Sequence, residues 1–199
     1  MVEQNALGRL SAISTGYAFK SRIEPVVPPE TGNVLAVQLR NIESDGSLNV
    51  DVAVMIHLDY VEPRYCLQPG DVVFCSRGVS LKAALVPESI GYAVAAAPVF
   101  IIRLKPKALD PGYLVWFLNQ PSLGQRQLMA VSRGSNMPMV SIKGLSSIEI
   151  LLPPLATQAK IAELYALQRQ ENKLLKQIQE RRNQYMDAVL KKCMQEALV

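Results

Sequence analysis

At 199 residues, 49% apolar and 19% charged, the chain is long enough for one well-cored domain plus an appendage, and too apolar for a disordered segment. No apolar run reaches the ~18 residues of a membrane span, and the longest, such as Tyr92–Ile102, are broken by Pro98. The net charge of +4 is unevenly split: residues 1–156 hold 13 Lys/Arg against 12 Asp/Glu, a net +1, and residues 157–199 hold 8 against 5, a net +3. This excludes a uniformly basic globular surface and leaves a local patch as the means of binding any nucleic acid.

The opening Met1–Asn5 lacks the basic-then-apolar layout of a signal peptide, so a cytoplasmic location is expected. Leu7–Ser14 reads as a short strand or a turn of helix, followed by a turn at Ser14-Thr15-Gly16 and a loop at Tyr17–Arg22 with an aromatic pair and two bases. Val34–Gln38 is strand-like, Asp45-Gly46 is a hairpin signal, and Leu48–Val54 returns as a strand. Leu67-Gln68-Pro69-Gly70-Asp71 is a tight turn in which Pro sets φ and Gly allows a positive φ. It launches a short buried strand, Val72–Cys75, and the polar loop Ser76-Arg77-Gly78. Leu81–Val86 and Ala93–Leu104 continue the sheet.

Pro111–Leu118 carries a helix start, with Asp110 as N-cap and Pro111 in the first position, and an apolar face at Tyr113, Leu114 and Phe117. A second helix is expected over about Pro121–Met129. The polar glycine loop Ser132–Pro138 follows, and short strands at Val140–Ile142 and Ser147–Leu152 close the domain. After Pro153-Pro154, roughly forty residues contain neither Gly nor Pro. Thr157 is a good N-cap. Ile161, Leu164, Leu167, Leu174, Leu175, Ile178, Tyr185, Met186, Val189 and Leu190 form a stripe with steps of three and four, interrupted by Gln168, Glu171 and Arg182. Such a helix spans about 60 Å and needs a partner for its stripe. The architecture expected is α+β: a mostly-β domain over 1–154, and a long coiled-coil-like helix over 155–199.

Signatures of chemistry are missing. No phosphate-cradling Gly-x-x-x-x-Gly-Lys-Ser/Thr, no Gly-x-Gly-x-x-Gly, no Asn/Asp-Pro-Pro-Tyr/Phe and no Gly-x-Ser-x-Gly occurs. One histidine, His57, leaves little room for a catalytic triad and reads as a strand-edge residue. Cys66, Cys75 and Cys193 fit no metal-ligand spacing and read as reduced thiols. These absences favour a binding module, with no metal and no cofactor of its own.

Four segments, in order, carry a resemblance. Leu67–Gly78 is similar to the Leu-x-Pro-Gly-Asp segment of the DNA-specificity (S) subunits of type I restriction-modification systems. The opening Leu7–Leu10 with Gly16–Ser21, the loop Ser132–Asn136 with Val140-Ser141, and Leu151–Ala162 resemble further segments of the same family. The resemblance implies a target recognition domain followed by a long conserved helix, and it covers essentially the whole chain. A full-length S subunit has two of each, so the chain resembles a half subunit, and homodimerisation through the C-terminal helix is the simplest way to restore the two-fold arrangement.

The family does no chemistry itself. The resemblance implies that the chain reads double-stranded DNA and docks methyltransferase (M) subunits, which bind S-adenosylmethionine, and a restriction (R) subunit. Reading DNA calls for Arg or Lys toward phosphates and guanine, and Asn, Gln or Ser toward other base edges. The loops supply Tyr17, Phe19, Lys20 and Arg22; Arg40 and Asn41; Ser76, Arg77 and Lys82; and Arg133, Ser135, Asn136 and Lys143. Tyr17 and Phe19 also suit a core, and any of the bases also suits a solvated surface. Arg77 and Arg133 stand out because each precedes a glycine that lets the backbone approach a phosphate. The expected dimerisation surface is Ile161, Leu164, Leu167, Leu174, Leu175, Ile178, Tyr185 and Val189. The near-neutral globular part leaves a second reading open, a protein-interaction scaffold on a coiled-coil stalk that touches no DNA. The target bases, and whether the partner helix belongs to a second copy or to another half subunit, stay open.

Overall fold

In chain order the elements are β1 (Glu3–Ala6), α1 (Leu7–Leu10), β2 (Ser11–Thr15), β3 (Val34–Val37), β4 (Val54–Ile56), β5 (Val72–Cys75), β6 (Ala83–Leu85), β7 (Ala93–Ala95) and β8 (Val99–Leu104), then α2 (Pro111–Asn119), α3 (Arg126–Val131), α4 (Ile142–Ser146), β9 (Glu149–Leu152) and α5 (Leu155–Glu196). The computed structural model describes residues 3–19, 23, 32–43, 45–78, 80–134 and 136–196. The class is α+β, with a mostly-strand body and a 42-residue C-terminal helix. Two compact units are present, dividing between Ala162 and Glu163, and the described part of the second is α5 beyond its first two turns.

Three sheets build the first unit. A four-stranded antiparallel sheet runs β2-β8-β5-β6, a three-stranded sheet runs β4-β3-β7, and β1 pairs with β9. The β5 strand is buried along its whole length, as its unbroken Val-Val-Phe-Cys run requires. Val37, Val73, Ala95, Val99 and Ile101 join the four- and three-stranded sheets into one core. Ala93–Leu104, expected as one strand, divides at Ala96–Pro98: β7 pairs parallel with β3, and β8 pairs antiparallel with β2 and β5. Pro98 has no N–H for a ladder, so the chain changes sheets there.

Leu7–Ser14 forms both structures that its pattern allows, α1 and then β2. The expected strand Leu48–Val54 shrinks to one bridge, Leu48 with Ile42, before β4. Asn41 and Asn49 replace its ladder: the Asn49 N–H donates to the Asn41 carbonyl at 2.8 Å, and Asn41 Nδ2 returns to the Asn49 carbonyl at 3.1 Å. The expected strand Val140–Ile142 does not form: the Val140 N–H makes one bond to the Ser76 carbonyl, and α4 starts at Ile142. Ser141 is its N-cap, with Oγ accepting from the Gly144 N–H at 3.1 Å.

Asp110 caps α2 as expected, its Oδ1 accepting from the Tyr113 N–H at 2.8 Å. The α2 C-terminus then covers the outer edge of the four-stranded sheet. Asn119 Oδ1 accepts from the Ala83 N–H at 3.0 Å and Nδ2 donates to the Ala83 carbonyl at 2.9 Å, so one side-chain amide imitates a neighbouring strand. Residues 121–125 form a π-helical turn before α3. Gln125 Nε2 holds the turn by donating to the Leu118 and Leu81 carbonyls at 2.6 and 2.7 Å.

Pairing of β1 with β9 brings the first strand to the point where α5 leaves. The helix starts at Leu155, two residues before the expected cap at Thr157. Pro154 supplies the capping carbonyl, which accepts from the Thr157 and Gln158 N–H groups at 2.8 and 3.1 Å. Gln158, only 2% exposed, spans the junction: Oε1 accepts from the Asp110 N–H at 2.9 Å and Nε2 donates to the Pro153 carbonyl at 2.8 Å. A Cβ on Gly112 would lie 2.9 Å from the Ala162 Cβ, so the glycine lets α2 approach the second turn of α5. The body therefore extends through Ala162.

Candidate nucleic-acid interface

The turn Leu67–Asp71 is built from the inside. Gly70 has φ +82°, and its N–H donates to the Val86 carbonyl at 3.1 Å. Asp71, 3% exposed, accepts from the Gln68 N–H at 2.8 Å and takes the Arg103 guanidinium in two bonds of 2.8 and 2.6 Å. The second guanidinium nitrogen also donates to the Cys66 carbonyl at 3.0 Å. The Asp71 carboxylate raises the Arg103 pKa above its ordinary value. This bidentate pair fixes the start of β5, and so fixes what β5 delivers at its end.

What β5 delivers is Ser76-Arg77-Gly78, and the late glycine loop meets it there. Met139 bridges Arg77 on one side and Arg133 on the other, antiparallel to both. The Arg133 and Met139 backbones exchange two hydrogen bonds of 2.9 Å. The Gly78 N–H donates to the Pro138 carbonyl at 3.0 Å, and the Val140 N–H to the Ser76 carbonyl at 2.8 Å. Directly paired residues in a ladder project to the same face, and all three side chains are exposed. Among the described residues no acid lies within ion-pair distance of Arg77 or Arg133. The two arginines that stood out in sequence thus lie either side of one methionine. Met139 was not among the candidate residues, because nothing in a local window pairs it with segments on both sides.

Two candidates are committed elsewhere. Ser76 is 2% exposed and its hydroxyl donates to the Pro98 carbonyl. Asn41 is fully buried, with Oδ1 accepting from the Gln38 N–H at 2.8 Å and Nδ2 engaged with Asn49. Their bonds hold loops together, and reaching a base edge would break them; this corrects the expectation that they project outward. Tyr17 is half-buried, edge-on to Phe19 and Tyr65 with ring centroids 4.7 and 5.4 Å away. Phe19 and Tyr65 pack against the Val34, Ile56 and Val94 core. Arg40, Asn136 and Lys143 are exposed and Lys82 is half-buried. Arg40 borders a shallow depression of about 270 Å³ with Gln38 and the 96–98 turn. Lys20, Arg22 and Ser135 lie outside the described residues.

His57 is exposed and sits 3.4 Å from Asp59. The cysteines are free, and burial pushes the Cys75 thiol pKa up. Among the described residues no three His, Cys, Asp or Glu side chains gather as metal ligands, and no helix is long and apolar enough to cross a membrane.

In α5, Ile161 is half-buried. The other seven residues of the expected dimerisation surface are exposed, Leu164 at 66%, Ile178 at 63% and Tyr185 at 68% among them. Leu190 and Met194 prolong the same apolar run. A stripe of this length open to water is unusual, because helix stability in proteins comes mostly from packing such a face.

Residues 64–182 match the family model described as "Type I restriction modification DNA specificity domain". No curated protein matches the chain. Among solved structures, one titled for the complex assembly and conformational transition of the type I R-M system is 20% identical with a TM-score of 0.64, covering 86% of this chain and 43% of that one. The HsdS subunit from Thermoanaerobacter tengcongensis is 19% identical with a TM-score of 0.61, covering 86% and 43%. The type I restriction-modification S subunit from M. genitalium is 15% identical with a TM-score of 0.55, covering 85% and 40%. The chain thus shares their fold and spans about two-fifths of their length.

Proposed function

Because the chain belongs to the family of type I restriction-modification DNA specificity domains, we propose that it reads DNA for a methyltransferase complex and performs no chemistry itself. The observation that carries this reading is the exposed Arg77–Met139–Arg133 ladder, two guanidiniums with no acidic partner among the described residues, on one face of a body of nearly balanced charge. Arg40, Lys82, Asn136 and Lys143 extend the candidate surface. M subunits holding S-adenosylmethionine, and an R subunit, are the partners the family suggests, in the cytoplasm. The target recognition domain is residues 1–154, the first two turns of α5 are fastened to it, and the helix over 155–199 is the arm that spaces and joins.

The open stripe of α5 supports pairing with a second copy of the chain. Two identical domains about a two-fold axis read an inverted repeat, so the methylated site is bipartite and symmetric. Leu174→Glu/Ile178→Glu places two charges in the pairing seam and converts the dimer to a monomer in light scattering; an unchanged mass rejects α5 as the joint. For recognition, the decisive experiment is sequencing of DNA methylated when the chain is co-expressed with its M subunit. The expected product is methylated adenine at an inverted repeat. An asymmetric site rejects the homodimer. Binding to protein alone, with no salt-dependent DNA affinity, replaces DNA reading with the scaffold reading.

A further inference from the structure

We infer that Met139 is a specificity-determining residue, reading the 5-methyl group of a thymine while Arg77 and Arg133 grip the DNA on either side. This deepens the DNA-reading function and rests on it. Three observations carry the inference. Met139 is 53% exposed, although an unbranched apolar side chain gains by burial. Its backbone is held from both sides, by Arg133 through two 2.9 Å bonds and by the 76–78 segment through the flanking Pro138 and Val140, so the point from which its side chain projects is set before any ligand arrives. It is bracketed on one face by two cations without acidic partners among the described residues.

This arrangement suits duplex DNA. Guanidiniums bind phosphate oxygens or the guanine edge, and an apolar side chain between them has one apolar feature to meet in the major groove, the thymine methyl. Met137 is also exposed, at 61%, but forms no bridge in the ladder. It therefore serves as the control for a methionine that is merely nearby.

The test is selection of bound duplexes from a randomised library, using the full chain with its M subunit, for wild type, Met139→Ala, Met139→Gln and Met137→Ala. Wild type selects a T·A pair at one position of each half-site. Met139→Ala flattens the preference there, lowering affinity for the selected site about five- to tenfold, and leaves the other positions unchanged. Met139→Gln moves the preference toward adenine, whose N6 and N7 match a glutamine amide. Met137→Ala selects the wild-type motif. In the wild-type site, deoxyuridine for that thymine reproduces the Met139→Ala loss and adds nothing to it. The exposed side chain is not part of the core, so thermal unfolding of the Met139 variants should match wild type.

An unchanged motif for both Met139 variants overturns the inference while leaving DNA reading intact, as does a deoxyuridine penalty that persists in Met139→Ala. Absence of any enriched motif for wild type overturns DNA reading itself.

Discussion

The junction at Gln158 yields the sharpest stability prediction. Gln158→Met keeps side-chain length and helix propensity but deletes both bonds of the amide. The Asp110 N–H and the Pro153 carbonyl, now paired at 2.9 and 2.8 Å, lose their partner. A buried polar group left unpaired costs ~1–3 kcal/mol. Both bonds are only part-buried, so water offsets some of this, and the expected loss is about 2–3 kcal/mol for the pair. With a urea slope of ~2 kcal/mol/M, the unfolding midpoint falls by about 1 M. The single tryptophan, Trp116, sits half-buried in α2, which Asp110 caps, and its fluorescence reports the event. Protein concentration must be held fixed, since association adds to apparent stability. Lys160→Met, an exposed apolar swap two residues on, should stay within ~0.5 kcal/mol. A Gln158→Met midpoint equal to that of Lys160→Met refutes the reasoning and makes the two bonds energetically neutral.

Two further outcomes follow from buried groups. Asp71→Asn removes the charge that faces Arg103 and weakens the bidentate pair. Breaking a buried pair costs ~3–5 kcal/mol, but the Arg103 side chain is 34% exposed and partly rehydrates, so chemical denaturation should show a loss of about 2–3 kcal/mol. A loss under ~0.5 kcal/mol would mean that the turn holds without the pair. Cys75 has its thiol pKa raised by burial, so the folded state keeps a proton that the unfolded chain releases above its ordinary value of 9.0. The stabilisation is fully present below that pH and is lost as pH rises through the folded value. At pH 8 a thiol reagent should modify exposed Cys193 rapidly and Cys75 only after unfolding, with mass spectrometry identifying the sites. Equal rates for the two would contradict the burial.

Much of the candidate site was legible in the sequence, and the losses have a common cause. Arg77 and Arg133 were recognisable because a basic residue before glycine in a polar loop is a local pattern. Asn41 and Ser76 show the same local polarity, yet their partners, Asn49 and Pro98, are placed by folding. A polar residue in a loop has the same appearance in sequence whether it faces water or closes the loop from within. Met139 is hidden in the opposite direction: in the apolar run Met137-Pro138-Met139-Val140 it suggests core, and only the fold exposes it and bridges it to both arginines.

By itself the sequence determined what local periodicity and stereochemistry control. These are the α+β class, the turn at Gly70, the Asp110–Pro111 helix start, the Pro-Pro stop, and the long helix with its apolar stripe. Tertiary structure decided which residues are neighbours. It split Ala93–Leu104 between two sheets at Pro98, ended the expected strand at Val140 by making Ser141 the cap of α4, and used Gln158 to fasten the first turn of α5 to Asp110. It also joined the two arginine loops around Met139. The physical reason is range: propensity and capping act over a few residues, whereas a side-chain amide or a backbone bridge is satisfied by whatever group the completed fold brings within ~3 Å.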